Sequence, residues 1–167
     1  MIDSSAFEML AEFAIAQAGF ASVVVVLGRG VDPFHPADGF RVFNALVPSV
    51  LAGFLALVPI GLDLVGVPAA GIWRLASFLF AFLVLSFSIN AVRRMRRLPP
   101  DAREIISSRI AALHFSTMGI AVLACVVNST TSWLGPPQGG FYFFGLISLL
   151  LVSAFAFVRL VFVRPAA

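Results

Sequence analysis

Apolar residues in this chain gather into five long runs, and polar, glycine and proline residues fill the short gaps between them. A helix needs about 20 mostly apolar residues to cross the hydrocarbon core of a bilayer. The runs therefore predict five transmembrane helices, at residues 5–28, 39–62, 71–92, 107–131 and 140–163. Because the gaps are too short for a soluble domain, residues 1–167 are expected to form a single transmembrane domain of the all-α class.

The composition also favours a membrane protein over a soluble one. The 167 residues are 60% hydrophobic and 11% charged, whereas soluble domains are about 45–50% apolar and about 25% charged. The net charge is +3, but the basic residues are too few and too clustered to indicate a nucleic-acid partner. The expected partner is the lipid bilayer.

Arginine placement predicts which way the bundle sits in the membrane. If five helices cross, one side carries ten of the eleven arginines and the other side carries Arg74 alone. Because cytoplasmic loops are enriched in basic residues, this split predicts an outside N-terminus and a cytoplasmic C-terminus. The central orientation signal is Arg93, Arg94, Arg96 and Arg97. These four side chains are also expected to contact anionic lipid head groups.

Prolines mark one predicted helix start and two interior irregularities. The sequence PPDARE at 99–104 is typical of a helix start, so the fourth transmembrane helix is expected to extend into the cytoplasm by one or two turns. Pro48 and Pro59 lie inside the second predicted helix. They indicate either kinks covered by neighbouring helices or a hinge that lines a cavity.

Each predicted helix carries one stripe of polar or small residues, which predicts the face that packs against other helices. In the first helix this stripe is Glu8, Glu12, Ala16, Gly19 and Ser22. In the others the stripes include Arg41 and Asn44, Ser77 and Ala81, His114 and Ala121, and Ala156 and Arg159. Trp73, Trp133 and Tyr142 map to the outer interface, where amphipathic rings usually sit.

Counting along the helices places the polar residues in two layers, with an apolar middle third between them. The predicted inner polar layer consists of Arg41, Asn44, Asn90, His114 and Arg159. The outer layer contains Glu8, Glu12, Asp63, Arg74 and Asn128. Ion-coupled transporters usually keep an ionisable group near the midplane, so this layering argues against a pump.

Glu12 is the charged residue that the layering places deepest from the outer side. An unpaired carboxylate at that depth is costly, so we expect an intramembrane ion pair between Glu12 and Arg74. Two alternatives are a protonatable transport or ligand site, and a helix that starts later and leaves Glu12 at the interface.

His114 is expected to be a hydrogen-bonded packing residue, with a haem or quinone site as the alternative. The other histidine, His35, falls in a loop, and no metal-binding spacing joins the two. Cys125 is alone in an apolar run and is expected to be a small buried residue. We find no catalytic constellation and therefore expect no catalytic, cofactor-binding or metal site.

Three functions remain open from these observations. The first is a non-enzymatic membrane protein that acts through association as a subunit, scaffold or small oligomer, with a second copy or another membrane protein as partner. The second is an oligomeric channel or small transporter, in which inner-layer arginines would favour anions. The third is an enzyme or electron carrier that uses haem or quinone at His114.

The stretches LAEFAIAQAGFASVVVVLGR, WRLAS and GFYFFGLISLLLVSAFAFVRLVF resemble uncharacterised small multi-spanning bacterial inner-membrane proteins of unknown function. The similarity extends over much of the chain. It implies a location in the bacterial inner membrane. It carries over no activity and no functional residue.

Overall fold

A computed structural model describes residues 4–27, 36–104, 106, 108–130 and 138–162. This part of the chain forms six helices and no strands. The helices are α1 (Ser4–Leu27), α2 (Pro36–Leu64), α3 (Ala69–Arg96), α4 (Pro100–Glu104), α5 (Ser108–Thr130) and α6 (Gly139–Phe162). All except α4 are long and apolar enough to cross a membrane, so the predicted all-α class and the five predicted transmembrane helices are confirmed.

The short helix α4 differs from the prediction of an extended fourth transmembrane helix. A helix does begin at Pro100, as the proline and the acidic first turn predict. It ends at Glu104, and α5 begins separately at Ser108. The Arg103 guanidinium donates to the carbonyls of Arg96 (2.7 Å) and Leu98 (3.2 Å), which holds α4 back against the end of α3.

Helices α2 and α6 form the centre of the bundle. Each packs against the other, and they contact α1, α3 and α5 on their remaining sides. Fully buried side chains fill the middle of the bundle, among them Leu55, Phe80, Val84, Leu146 and Leu149. The outer faces are rich in exposed Phe, Leu, Ile and Val, as expected for surfaces that meet lipid rather than water.

The packing face of α1 is not the predicted stripe. Glu8, Glu12, Ala16, Gly19 and Ser22 are all exposed, and the buried residues of α1 are Phe7, Ala11, Ala14 and Ala21. Ser22 shows why a polar residue need not mark a packing face. Its hydroxyl donates to the Ala18 carbonyl of its own helix at 2.8 Å and so requires no partner on another helix. The alanine face allows close packing instead, and a Cβ added at Gly53 of α2 would lie 3.4 Å from the Ala14 Cβ.

Pro59 interrupts the hydrogen bonding of α2, and α6 repairs the gap. Proline has no N–H, so the carbonyl four residues earlier, that of Leu55, loses its helical donor. The Tyr142 hydroxyl of α6 donates to this carbonyl at 2.6 Å. Tyr142 is fully buried, so its ring packs between helices, and its depth at the outer interface stays a prediction.

A second polar link joins α1, α2 and α6 near the middle of the bundle, beside Pro48. The Ser153 hydroxyl donates to the Ala45 carbonyl and lies 2.6 Å from the Ser49 hydroxyl. Gln17 of α1 donates to the Ser153 hydroxyl at 3.1 Å. Both prolines thus lie where α6 supplies polar partners to α2, as predicted for kinks covered by neighbouring helices.

Candidate functional site

A partly open pocket lies at the arginine-rich end of the bundle, between α2, α3, α5 and α6. Its volume is about 40 Å³, which is room for more than one water-sized group. Its polar lining consists of Arg41, Asn44, Ser88, His114 and Arg159. Four of the five residues of the predicted inner polar layer therefore meet at one site.

Asn90 is the member of the predicted inner layer that does not reach the pocket. Its side chain is exposed, and its amide donates to the Ser86 carbonyl of its own helix at 2.9 Å. Ser88, two residues earlier on α3, lines the pocket instead. The prediction had the correct depth on α3, but it selected a residue that faces away from the other helices.

Arg41 is 5% exposed and forms a salt bridge with Asp38, with Nη1 3.2 Å from Oδ1. Asp38 lies in the first turn of α2, where the helix dipole favours a carboxylate. The i, i+3 spacing brings the two side chains to the same face of the helix. Asp38 therefore fixes a buried guanidinium at the pocket wall, a role that the sequence prediction missed.

Arg159 approaches the same pocket from the last turn of α6, where the helix dipole favours a cation. It is half-buried, and its charge interacts with those of Arg41 and His114. Within the residues that the structure describes, the Arg41–Asp38 pair is the only salt bridge. The described lining thus holds two guanidinium groups and no carboxylate, and Asp38 bonds to one of the two.

His114 contributes a ring nitrogen that has no hydrogen-bond partner among the described residues. Its imidazole packs edge-on against Phe155 at 5.7 Å between ring centroids. Its Nε2 atom is buried and has no hydrogen-bond partner in the described part of the chain. A buried polar atom left unpaired destabilises a protein, so this nitrogen favours a pocket that takes up water or a ligand. The prediction that His114 is a hydrogen-bonded packing residue therefore does not hold for its Nε2 atom.

Asn44 and Ser88 of the pocket each donate one hydrogen bond within their own helix. Asn44 donates to the Phe40 carbonyl at 2.8 Å, and Ser88 donates to the Val84 carbonyl at 2.8 Å. The Ser88 hydroxyl has one donor hydrogen, whereas the Asn44 amide has a second N–H. His114, Asn44 and the guanidinium groups are therefore the groups of the lining that could donate to a ligand. The remaining lining residues are apolar and include Phe87, Ile110, Phe115 and Met118.

The arginine segment after α3 packs partly onto this end of the bundle. The Arg94 guanidinium lies 4.1 Å from the centre of the Phe43 ring, and Phe43 stacks on Phe87 of the pocket wall. The side chains of Arg93, Arg94, Arg96 and Arg97 are all exposed. They are accessible to lipid head groups, but none of them lines the pocket.

The predicted ion pair between Glu12 and Arg74 is absent from the described residues. Both side chains are exposed, because α1 packs mainly on α2 and α6 rather than on α3. The contact between these two helix ends is apolar instead, with Phe7 and Trp73 ring centroids 5.8 Å apart. The alternative of a helix that starts after Glu12 is also wrong, since α1 begins at Ser4.

No group of three or more His, Cys, Asp or Glu side chains suited to a metal ion occurs in the described ranges. Cys125 is buried, as expected. His35, Trp133 and two of the ten arginines used for the orientation, Arg29 and Arg164, lie outside those ranges.

Comparisons with protein-family models, with curated proteins and with solved structures find no significant match to this chain. A functional argument for this integral membrane bundle therefore depends on the pocket itself.

Proposed function

We propose that this membrane protein is non-enzymatic and binds an anion in the pocket between α2, α3, α5 and α6. The observation that carries the proposal is that Arg41 and Arg159, from different helices, line one pocket whose described lining contains no carboxylate. Two cations held close together repel each other, and burial strengthens that repulsion. An anion between them would relieve it.

A phosphate-like oxyanion suits the donors of this pocket best. Guanidinium groups bind the oxygens of carboxylates and phosphates through paired N–H donors. The His114 Nε2 atom is buried and has no partner within the described ranges. It would supply a further donor when it carries the proton. Arg41 is already fixed by Asp38, so less side-chain freedom is lost when an anion binds.

The pocket chemistry supports binding rather than turnover. His114 is the one imidazole of the described lining, and no carboxylate lines the pocket with it. The Ser88 hydroxyl, the one potential nucleophile there, donates to a backbone carbonyl rather than to an imidazole. A hydroxyl in that arrangement lacks the adjacent base that nucleophilic catalysis requires.

An oligomeric, anion-favouring channel is a second candidate, and the pair of pocket arginines favours it. Leu146 and Leu149 fill the middle of the bundle, so a conduit would have to form between copies. Association with a second copy or another membrane protein, and a bacterial inner-membrane location, remain predictions. Anion flux into proteoliposomes separates a channel from a binding protein.

Thermal unfolding of the detergent-solubilised protein tests the binding proposal. Inorganic phosphate, compared with chloride at equal ionic strength, is expected to raise the unfolding temperature. The added stability should reach about 1.4 kcal/mol at ten times the dissociation constant. The variant Arg159→Gln should lose this shift. Arg109→Gln, an exposed arginine at the same end that does not line the pocket, should keep it.

Two results would count against the proposal. One is the absence of any phosphate-specific shift in the wild-type protein. The other is a shift of the same size in Arg159→Gln, which would place the anion elsewhere, for example on the exposed arginines after α3.

A further inference from the structure

The pocket has two chemically different parts. Five of its lining residues are polar and nine are apolar. A site for a small hydrated anion needs the polar part alone. The apolar part includes Ile106, Ile110, Ala111 and Phe115, which are half-buried rather than enclosed in the core, and the fully buried Met118.

The polar part lies close to the boundary of the hydrocarbon core. Arg41 lies five residues after the start of α2, and Arg159 lies three residues before the end of α6. At 1.5 Å per residue these positions are about 7.5 Å and about 4.5 Å inside the helix ends. Centred on a core of about 30 Å, helices of these lengths extend about 7 Å and about 3 Å beyond it. Both Arg positions therefore fall near the depth where head groups meet acyl chains.

The apolar part continues onto a lipid-facing surface. The half-buried wall belongs to α5 and to Ile106 just before it. The same helix exposes Leu113, which is 58% accessible and lies three residues after Ile110. A ligand whose charged group lies between Arg41 and Arg159 could therefore extend past Ile110 to this lipid-facing side chain.

Resting on the proposed anion site, we infer that the ligand is an anionic lipid. Its phosphate lies between the guanidinium groups of Arg41 and Arg159, beside His114, and an acyl chain lies against the α5 wall. The lipid and a free inorganic phosphate would bind through the same group, the phosphate. The apolar wall is what distinguishes a lipid from a soluble phosphate.

Native mass spectrometry of the full chain, released from a neutral detergent, tests this inference. The protein is incubated with phosphatidylglycerol or with phosphatidylcholine of the same acyl chains. One phosphatidylglycerol per chain is expected, bound roughly tenfold or more tightly than phosphatidylcholine, because the choline cation cancels the charge of the phosphatidylcholine head group and is repelled by Arg41 and Arg159. Arg159→Gln should lose this preference, and Arg109→Gln should keep it.

A matched pair of variants tests the acyl-chain part of the site. Ala111→Phe fills the apolar wall, whereas Ala112→Phe adds the same ring at the neighbouring exposed position, which is outside the lining. Ala111→Phe should lose phosphatidylglycerol and still show the thermal shift with inorganic phosphate. Ala112→Phe should keep both.

The outcomes separate the lipid inference from the proposed function. If inorganic phosphate binds but phosphatidylglycerol binds no better than phosphatidylcholine, or if Ala111→Phe leaves lipid binding unchanged, the lipid inference is wrong and the anion site stands. If neither inorganic phosphate nor phosphatidylglycerol binds in an Arg159-dependent way, both are wrong. Lipid binding that needs both Arg159 and Ala111 supports both.

Discussion

At the level of single residues, the hydroxyl of Tyr142 compensates for a donor that Pro59 removes from α2. The Leu55 carbonyl accepts from this hydroxyl at 2.6 Å and lies four residues before the proline. Both Pro59 and Tyr142 are fully buried, so water does not replace the bond. An aromatic ring in the core is therefore also a hydrogen-bond donor to the backbone.

The variant Tyr142→Phe is expected to lower the free energy of unfolding by about 1–2 kcal/mol, because it leaves a buried carbonyl without a donor. In a Pro59→Ala background the backbone N–H of residue 59 returns to the Leu55 carbonyl, so Tyr142→Phe should cost clearly less. Reversible denaturant unfolding in mixed micelles measures both backgrounds. An equal loss in the two backgrounds would contradict the pairing of Tyr142 with Pro59.

At the level of helices, three side chains near the middle of the bundle hold α1 to α2 and α6. Ser153 bonds to both Gln17 of α1 and Ser49 of α2. Hydroxyl and amide groups that bond between helices stabilise membrane proteins by modest amounts, about 0.6 kcal/mol on average in measured cases. The Ser153 hydroxyl oxygen makes several such bonds, so the loss of stability when it is removed should exceed that average.

The variant Ser153→Ala is expected to lower stability by about 1–2 kcal/mol, since Gln17 and Ser49 lose their shared partner. Ser22→Ala is the matched control, because the Ser22 hydroxyl bonds within α1 and is exposed. It should change stability by less than about 0.5 kcal/mol. Equal effects of the two substitutions would show that the link between α1 and its neighbours contributes little.

Helix positions and polar depth follow from the sequence, whereas the packing faces follow only in part. Lipid is as apolar as a helix interface, so hydropathy identifies a transmembrane helix without identifying its buried side. The sequence places four polar side chains at the same depth, and the structure brings them to one pocket: Arg41, Asn44, His114 and Arg159. Bonds to their own helices let Asn90 and Ser22 remain exposed, so the polarity of these residues does not identify a packing face. Ser153 was missed because a lone serine carries no such signal.

At the level of the whole molecule, the two ends of the bundle differ in charge. In the described residues, the end that holds the pocket carries eight arginines and three acids, whereas the opposite end carries Arg74 and the acids Glu8, Glu12 and Asp63. Basic residues stay on the cytoplasmic side. The pocket is therefore predicted to open toward the cytoplasmic side, with the α2–α3 turn at 65–68 outside.

Labelling of single-cysteine variants tests this orientation. In a Cys125→Ala background, Val65→Cys should react with a membrane-impermeant maleimide added outside intact cells, because Val65 is exposed in the α2–α3 turn. Asp101→Cys, exposed in α4, should react only after the membrane is opened. The reverse pattern would contradict the orientation and would place the pocket on the outer side.

The central claim is that an oxyanion occupies the pocket between Arg41 and Arg159. A crystal structure of the protein grown with selenate tests it most directly, because selenate resembles phosphate in shape and its selenium scatters anomalously. The account predicts one anomalous peak within hydrogen-bond distance of both guanidinium groups and close to the His114 ring. A pocket that contains only water, with the Arg159 side chain turned out to the surface, would contradict it.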